Sequence, residues 1–132
     1  MLQEHLSTLT SDLGLKEPLK LNEKKSCAFT IAEVDIKISQ ADAGVFFKAN
    51  IAQTPQKKRE EIFTKLMQAN LLGQGTAGSV IGIDKQEKFL TLSLIIPYEM
   101  NYEAFKETLE DFVNYLIYWR DEIDKIIKEE LF

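Results

Sequence analysis

Residues 73–80 read Gly-Gln-Gly-Thr-Ala-Gly-Ser-Val. As a string this is G-x-G-x-x-G-x-V, the spacing that lets backbone close over nucleotide phosphates in protein kinases and, without the valine, in dinucleotide-binding folds. That chemistry needs a particular order of elements. In a dinucleotide fold the glycines follow a strand and open a helix, because the phosphate rests on free N–H groups at the helix N-terminus. Here Ile62, Phe63, Leu66, Met67 and Leu71 repeat at helical spacing just upstream, and Val80-Ile81-Gly82-Ile83 is strand-like downstream. The glycines therefore follow a helix C-terminus, whose carbonyls repel phosphate. The kinase arrangement needs strands on both sides, a catalytic loop and a metal-binding motif that this chain lacks. Nucleotide binding is disfavoured. The reading that remains is that Gly73 caps a helix, while Gly75, Gly78 and Gly82 let the backbone pass close to a neighbour such as a second subunit.

Other reactive residue types are sparse. The single histidine, His5, has no second His or a Cys spaced to share a metal, and is expected on the exposed side of its helix. The single cysteine, Cys27, cannot form an intrachain disulfide, fits a reducing cytosol, and in an apolar strand reads as a small buried hydrophobe. The Asp and Glu residues fall on turns and helix faces with no acid/base pairing by spacing. No catalytic residue, metal site or cofactor is expected. A formal net charge of −5 and a pI near 5.0 argue against nucleic acid or an anionic membrane as partner. The first residues, MLQEHLSTLTSDLG, carry no basic region ahead of an apolar run, so no export signal or membrane insertion is expected and the expected location is cytoplasmic.

At 132 residues, 45% hydrophobic, the chain suits one domain over residues 1–132. Leu2, Leu6, Leu9 and Leu13 form a helical stripe that Gly14 would end. Residues 27–31, 34–38 and 45–51 read as three strands of an antiparallel meander, since their connectors are too short for a parallel crossover. The Ala32-Glu33 turn is unusual in lacking Gly or Asn. Thr54-Pro55 looks like a helix start, a capping hydroxyl followed by Pro at the first helical position, for a second helix ending near residue 71. Lys57, Lys58 and Arg59 crowd its first turn, either as a solvated face or to meet acidic groups on a partner. A hairpin follows, with Asp84 to Glu87 as its turn. From Asn101 onward Phe105, Leu109, Phe112, Leu116, Trp119, Ile123 and Ile126 make one unbroken apolar seam, with Asp121–Lys125 and Asp124–Lys128 expected as ion pairs on the solvent side. The fold class is α+β, in the order α-βββ-α-ββ-α, with an antiparallel sheet of about five strands and three helices in an α/β sandwich.

This order, together with Asn70-Leu71-Leu72-Gly73, Thr76, Gly78, Gly82-Ile83-Asp84, the strand Leu90 to Leu94, Tyr102-Glu103-Ala104-Phe105, Leu109, Phe112-Val113 and Trp119-Arg120, resembles the class I chaperones of bacterial type III secretion, the Tir chaperone family. The resemblance spans essentially the whole chain. Members usually carry Gly-Gly-Ala after the Thr, where this chain has Ala77-Gly78-Ser79. The resemblance implies a non-enzymatic homodimer, or a heterodimer with another chaperone, whose contact involves Ile62, Phe63, Leu66, Met67, Gly75, Gly78, Val80 and Ile81. It also implies capture of the N-terminal segment of secreted effector proteins, as an added strand and in apolar patches, and delivery to the secretion ATPase. Leu6, Leu9, Phe29, Ile31, Val34 and Ile36 are the candidate patch residues, each open to a plain core role as well. A dimeric regulatory or sensory domain of the same fold is the alternative.

Overall fold

The computed structural model describes residues 2–71 and 78–129. Among these, helix α1 spans Leu2–Asp12, strands β1, β2 and β3 span Ser26–Ile31, Val34–Ala41 and Gly44–Gln53, and helix α2 spans Arg59–Asn70. Strands β4 and β5 follow at Val80–Ile83 and Phe89–Ile96, and helix α3 runs from Tyr102 to Lys128. The strands form one antiparallel sheet in the order β1-β2-β3-β5-β4. The expected class and element order are therefore observed.

Alternation along the strands decides which face is covered. Val34, Ile36 and Ile38 of β2 are buried while Asp35 and Lys37 between them are exposed. Register carries that face across the sheet: Ile38 pairs with Cys27 on one side and Phe47 on the other, and Phe47 pairs with Leu94. The helices pack on this face. Phe47, fully buried, meets Phe105 and Phe112 of α3 edge-on, with ring centroids 5.7 and 5.6 Å apart. All seven seam residues of α3 are buried. Lys65 of α2 bridges to Glu122 of α3 at 3.1 Å, which draws the Glu122 carboxyl below its usual range.

Several local expectations are corrected. Helix α2 begins at Arg59, not at Thr54-Pro55, because the sheet claims Thr54: its N–H donates to the Lys88 carbonyl at 2.8 Å, extending the β3–β5 edge. The Thr54 hydroxyl is then buried with no hydrogen-bond partner, and Lys58, in a left-handed conformation, takes the N-cap position without a side-chain cap. Arg59 lies 5.3 Å over the Phe63 ring and Lys58 pairs with Glu61, so the basic cluster is partly engaged within α2. Leu13 lies just past the end of α1 and is not part of its buried stripe. His5 is not on an open face: its Nε2 is 2.8 Å from the Met100 carbonyl and its ring stacks on Phe105. Of the expected ion pairs on α3, Asp124–Lys128 forms at 2.8 Å, whereas Lys125 turns to Glu122 because Lys65 has already drawn that carboxylate into place. Helix α3 starts where expected, and Asn101 caps it, its side chain accepting from the Ala104 N–H.

The Ala32-Glu33 connection is a tight two-residue turn with both residues at positive φ (51° and 65°), the geometry that a hairpin twist demands and that non-glycine residues resist. Gly44 has a clearer reason to be glycine. Its φ is 146°, and a Cβ there would collide with the Ile96 carbonyl.

Candidate interaction surfaces

The two edges of the sheet are unlike each other. At β1, the Gln40 N–H donates to the Lys25 carbonyl, which fixes the alternation of the β1–β2 ladder. Cys27, Phe29 and Ile31 exchange backbone hydrogen bonds with β2, and the N–H and C=O groups of Ser26, Ala28 and Thr30 turn outward. Ser26 finds partners in Asn22, whose side-chain oxygen accepts from the Ser26 N–H while its own N–H donates to the Ser26 carbonyl. Ala28 and Thr30 face a groove of about 460 Å³ between β1 and the extended segment 15–22. That segment is held back on α1 by side chains. Gln3 donates to the Leu19 carbonyl and accepts from the Leu21 N–H, and the Thr10 hydroxyl accepts from the Leu19 N–H. Leu15, Leu19, Cys27 and Phe29 give the groove apolar lining, and Lys16, Lys20 and Glu17 lie along it. Burial pushes the Cys27 thiol up, with the Lys20 backbone working against it, so the thiolate is disfavoured.

The candidate patch residues divide by depth. Leu6, Leu9, Val34 and Ile36 are core, between 0% and 3% exposed, because the α1 stripe and the helix-facing side of β2 close on the interior. That burial removes them from direct contact with a partner. Phe29 and Ile31 are half-buried and reach the surface beside the β1 edge.

At the other end, α2 packs by Ile62, Leu66 and Ala69 against the sheet near β4, leaving an apolar depression of about 200 Å³ lined by Phe63, Met67, Ile83 and Leu90 among others. Met67, Leu71 and Val80 are 72%, 65% and 57% exposed. Met67 lies with Ile81 and Ile83 in the depression, whereas Val80 alternates with them along β4 and points to the other sheet face. Of the candidate dimer residues, Met67 and Val80 are thus exposed, Phe63 is half-buried, and Ile62, Leu66 and Ile81 are core. Ile83 lines the same depression and was missed by sequence reasoning, although its place at a strand end signalled it. Gly75 lies outside the described residues; Gly78 is exposed with φ 87°, and a Cβ there would meet nothing within 4 Å. A Cβ at Gly82 would only touch the Thr91 hydroxyl at 3.6 Å, so within one subunit neither glycine is forced by a close neighbour. In sequence the glycines fall between α2 and β4, and Gly73, like Gly75, lies outside the described residues.

The described residues thus form an α+β fold with one covered sheet face, one open strand edge and an exposed apolar end. Residues 4–120 match the profile of the Tir chaperone protein (CesT) family, and the chain belongs to that family. A Chlamydia pneumoniae protein designated CPj0713/CpB0740 is 23% identical over 127 residues, covering 93% of this chain and 96% of that protein. Among solved structures, the chain is similar to one in the HopA1-SchA chaperone-effector complex (TM-score 0.73, 17% identity, 91% of this chain and 93% of that one). It is similar to one in the ExsC-ExsE complex (TM-score 0.77, 17% identity, 91% of each chain). It is also similar to YbjN of E. coli, a candidate transcription regulator (TM-score 0.63, 17% identity, 92% of this chain and 90% of that one).

Proposed function

We propose that this chain is a cytoplasmic bacterial type III secretion chaperone that acts without catalysis, holding an extended segment of a secreted effector protein as an added strand on β1. The observation that carries the reading is the outward-turned backbone of Ala28 and Thr30 above a groove of mixed lining with Leu15 and Phe29 in it, the arrangement that strand addition requires. Membership of the Tir chaperone family supports it, as does the likeness to a chain of a chaperone-effector complex. Main-chain hydrogen bonds supply affinity, and alternate client side chains enter the groove beside Phe29 and Leu15 to supply selectivity. The second part of the proposal is a homodimer built on Phe63, Met67 and Ile83, whose exposed area is otherwise unexplained. Holding the segment extended keeps the effector soluble and ready for handover to the secretion ATPase.

The direct test is Ala28→Pro. Its missing N–H faces outward, so the β1–β2 ladder survives while strand addition loses a donor. Affinity purification from the native cells should recover an effector protected from protease over a short N-terminal stretch with wild type and not with A28P. Undiminished capture by a folded A28P protein would remove β1 as the site. The likeness to YbjN favours one second reading, a regulatory domain of the same fold. It would show as a partner bound through a folded domain.

A further inference from the structure

The far edge of the sheet is closed more fully than the β1 edge, where Asn22 engages Ser26 and leaves Ala28 and Thr30 turned outward. Strand β4 is an edge strand of four residues, Val80–Ile83. The Asp84 N–H donates to the Phe89 carbonyl at 3.0 Å, which makes that pair a bonded one and turns the backbone groups of Ile81 and Ile83 outward, away from β5. Ile81 is already engaged. The Asn70 side chain donates from Nδ2 to the Ile81 carbonyl at 2.8 Å and accepts at Oδ1 from the Ile81 N–H at 2.8 Å. A carboxamide has the donor and acceptor of a peptide group, so Asn70 stands where one residue of a neighbouring strand would pair. That leaves Ile83 alone with outward groups, too short a run for a strand to join.

We propose that Asn70 is an edge guard, whose carboxamide closes β4 to strand addition and confines an incoming extended peptide to β1. The proposal rests on the strand-capture reading above for its functional meaning, one client strand per subunit. It also makes the α2–β4 contact one of side-chain packing, with no sheet continued from subunit to subunit. Unguarded edges are templates for self-association, and proteins block them by such local devices.

The test uses the full-length protein without client, so that failure of β1 capture cannot be mistaken for failure of the guard. Asn70→Leu keeps a similar volume and removes both hydrogen bonds. It is expected to speed hydrogen exchange at the Ile81 amide by about tenfold or more, and to produce species heavier than the wild type in sedimentation velocity as concentration rises. Asn70→Asp keeps an acceptor for the Ile81 N–H and puts a charge on the edge, so it should sediment like wild type. Two results overturn the proposal: wild-type mass and Ile81 exchange in N70L, or association of N70D equal to that of N70L, which would point to a packing defect. If N70L does not fold, Asn70→Ser takes its place in the same measurements. Loss of folding in both also overturns the proposal, since an edge guard is dispensable to the core.

Discussion

The Nε of Arg120 donates to the carbonyl of Ile51 at 2.9 Å, joining α3 to β3 across 69 residues of chain. The same guanidinium donates from a second nitrogen to the Asn50 carbonyl at 2.8 Å. The β3–β5 register slips between Asn50 and Ala52, and Arg120 binds two successive carbonyls at that irregularity. The fork shape of the guanidinium matters, because two acceptors on successive residues must be met at once.

Arg120→Met should therefore destabilise the fold by about 2 kcal/mol, the usual worth of hydrogen bonds to a charged group lost from a partly buried site. Arg120→Lys should recover only part, since one ammonium serves the pair poorly. Urea denaturation followed by circular dichroism gives both values. A change below about 0.5 kcal/mol for R120M, the size of a neutral surface substitution, would mean that water replaces the guanidinium at the bulge.

The β1–β2 turn offers a gain. Ala32→Asn with Glu33→Gly matches the residue types to two positive φ values and should raise stability by about 1–2 kcal/mol. The midpoint of thermal unfolding should rise. An unchanged or lower midpoint would show that the turn carries no strain worth relieving.

Acid should loosen the seam between α1 and α3. The Tyr102 hydroxyl donates to Asp12 at 2.6 Å and Lys106 lies 3.5 Å from the same carboxylate, holding the Asp12 carboxyl below its ordinary value. A depressed carboxyl contributes stability above its unfolded value, about pH 4, and loses it as pH falls through the folded value. Burial, with Asp12 second, raises the Tyr102 phenol to about 12, so its share is full below its unfolded value of about 10 and is lost only as pH rises through 12. The stability gap between wild type and Tyr102→Phe should be flat from pH 5 to 8 and narrow below about pH 4. A gap that stays constant to pH 2 would refute the assignment.

Two glycines should part company. Gly44→Ala places a methyl group against the Ile96 carbonyl at a φ that L-residues rarely adopt, and should cost upward of about 2 kcal/mol. Gly82→Ala meets only ordinary contact within the chain, so stability should change by less than about 1 kcal/mol. Equal stability losses at both positions, measured by urea denaturation, would contradict this division.

Much of the architecture was legible because it is written in period. The α3 seam from Phe105 to Ile126, the alternation Val34-Asp35-Ile36-Lys37-Ile38 and the short meander connectors each follow from local geometry, and no distant residue was needed to read them. What depended on distant partners could not be read this way. Thr54-Pro55 carries a good helix-start signal, yet Lys88, 34 residues on, takes the Thr54 N–H into the sheet edge and moves the helix start to Arg59. Leu6, Leu9, Val34 and Ile36 look the same in sequence as Phe29 and Ile31, because hydrophobicity fixes only that a side chain leaves water. Whether the protein's own core or a partner receives it is settled by which element packs opposite, and α1 and α3 cover the first four while β1, as an edge, leaves the last two half open. Asn70 and Arg120 belong to the family-like motifs in the sequence, but their work, closing Ile81 and binding the Asn50 and Ile51 carbonyls, exists only after the chain has folded. A side chain's hydrogen-bonding capacity is fixed by its type, whereas its partner is chosen by the tertiary structure.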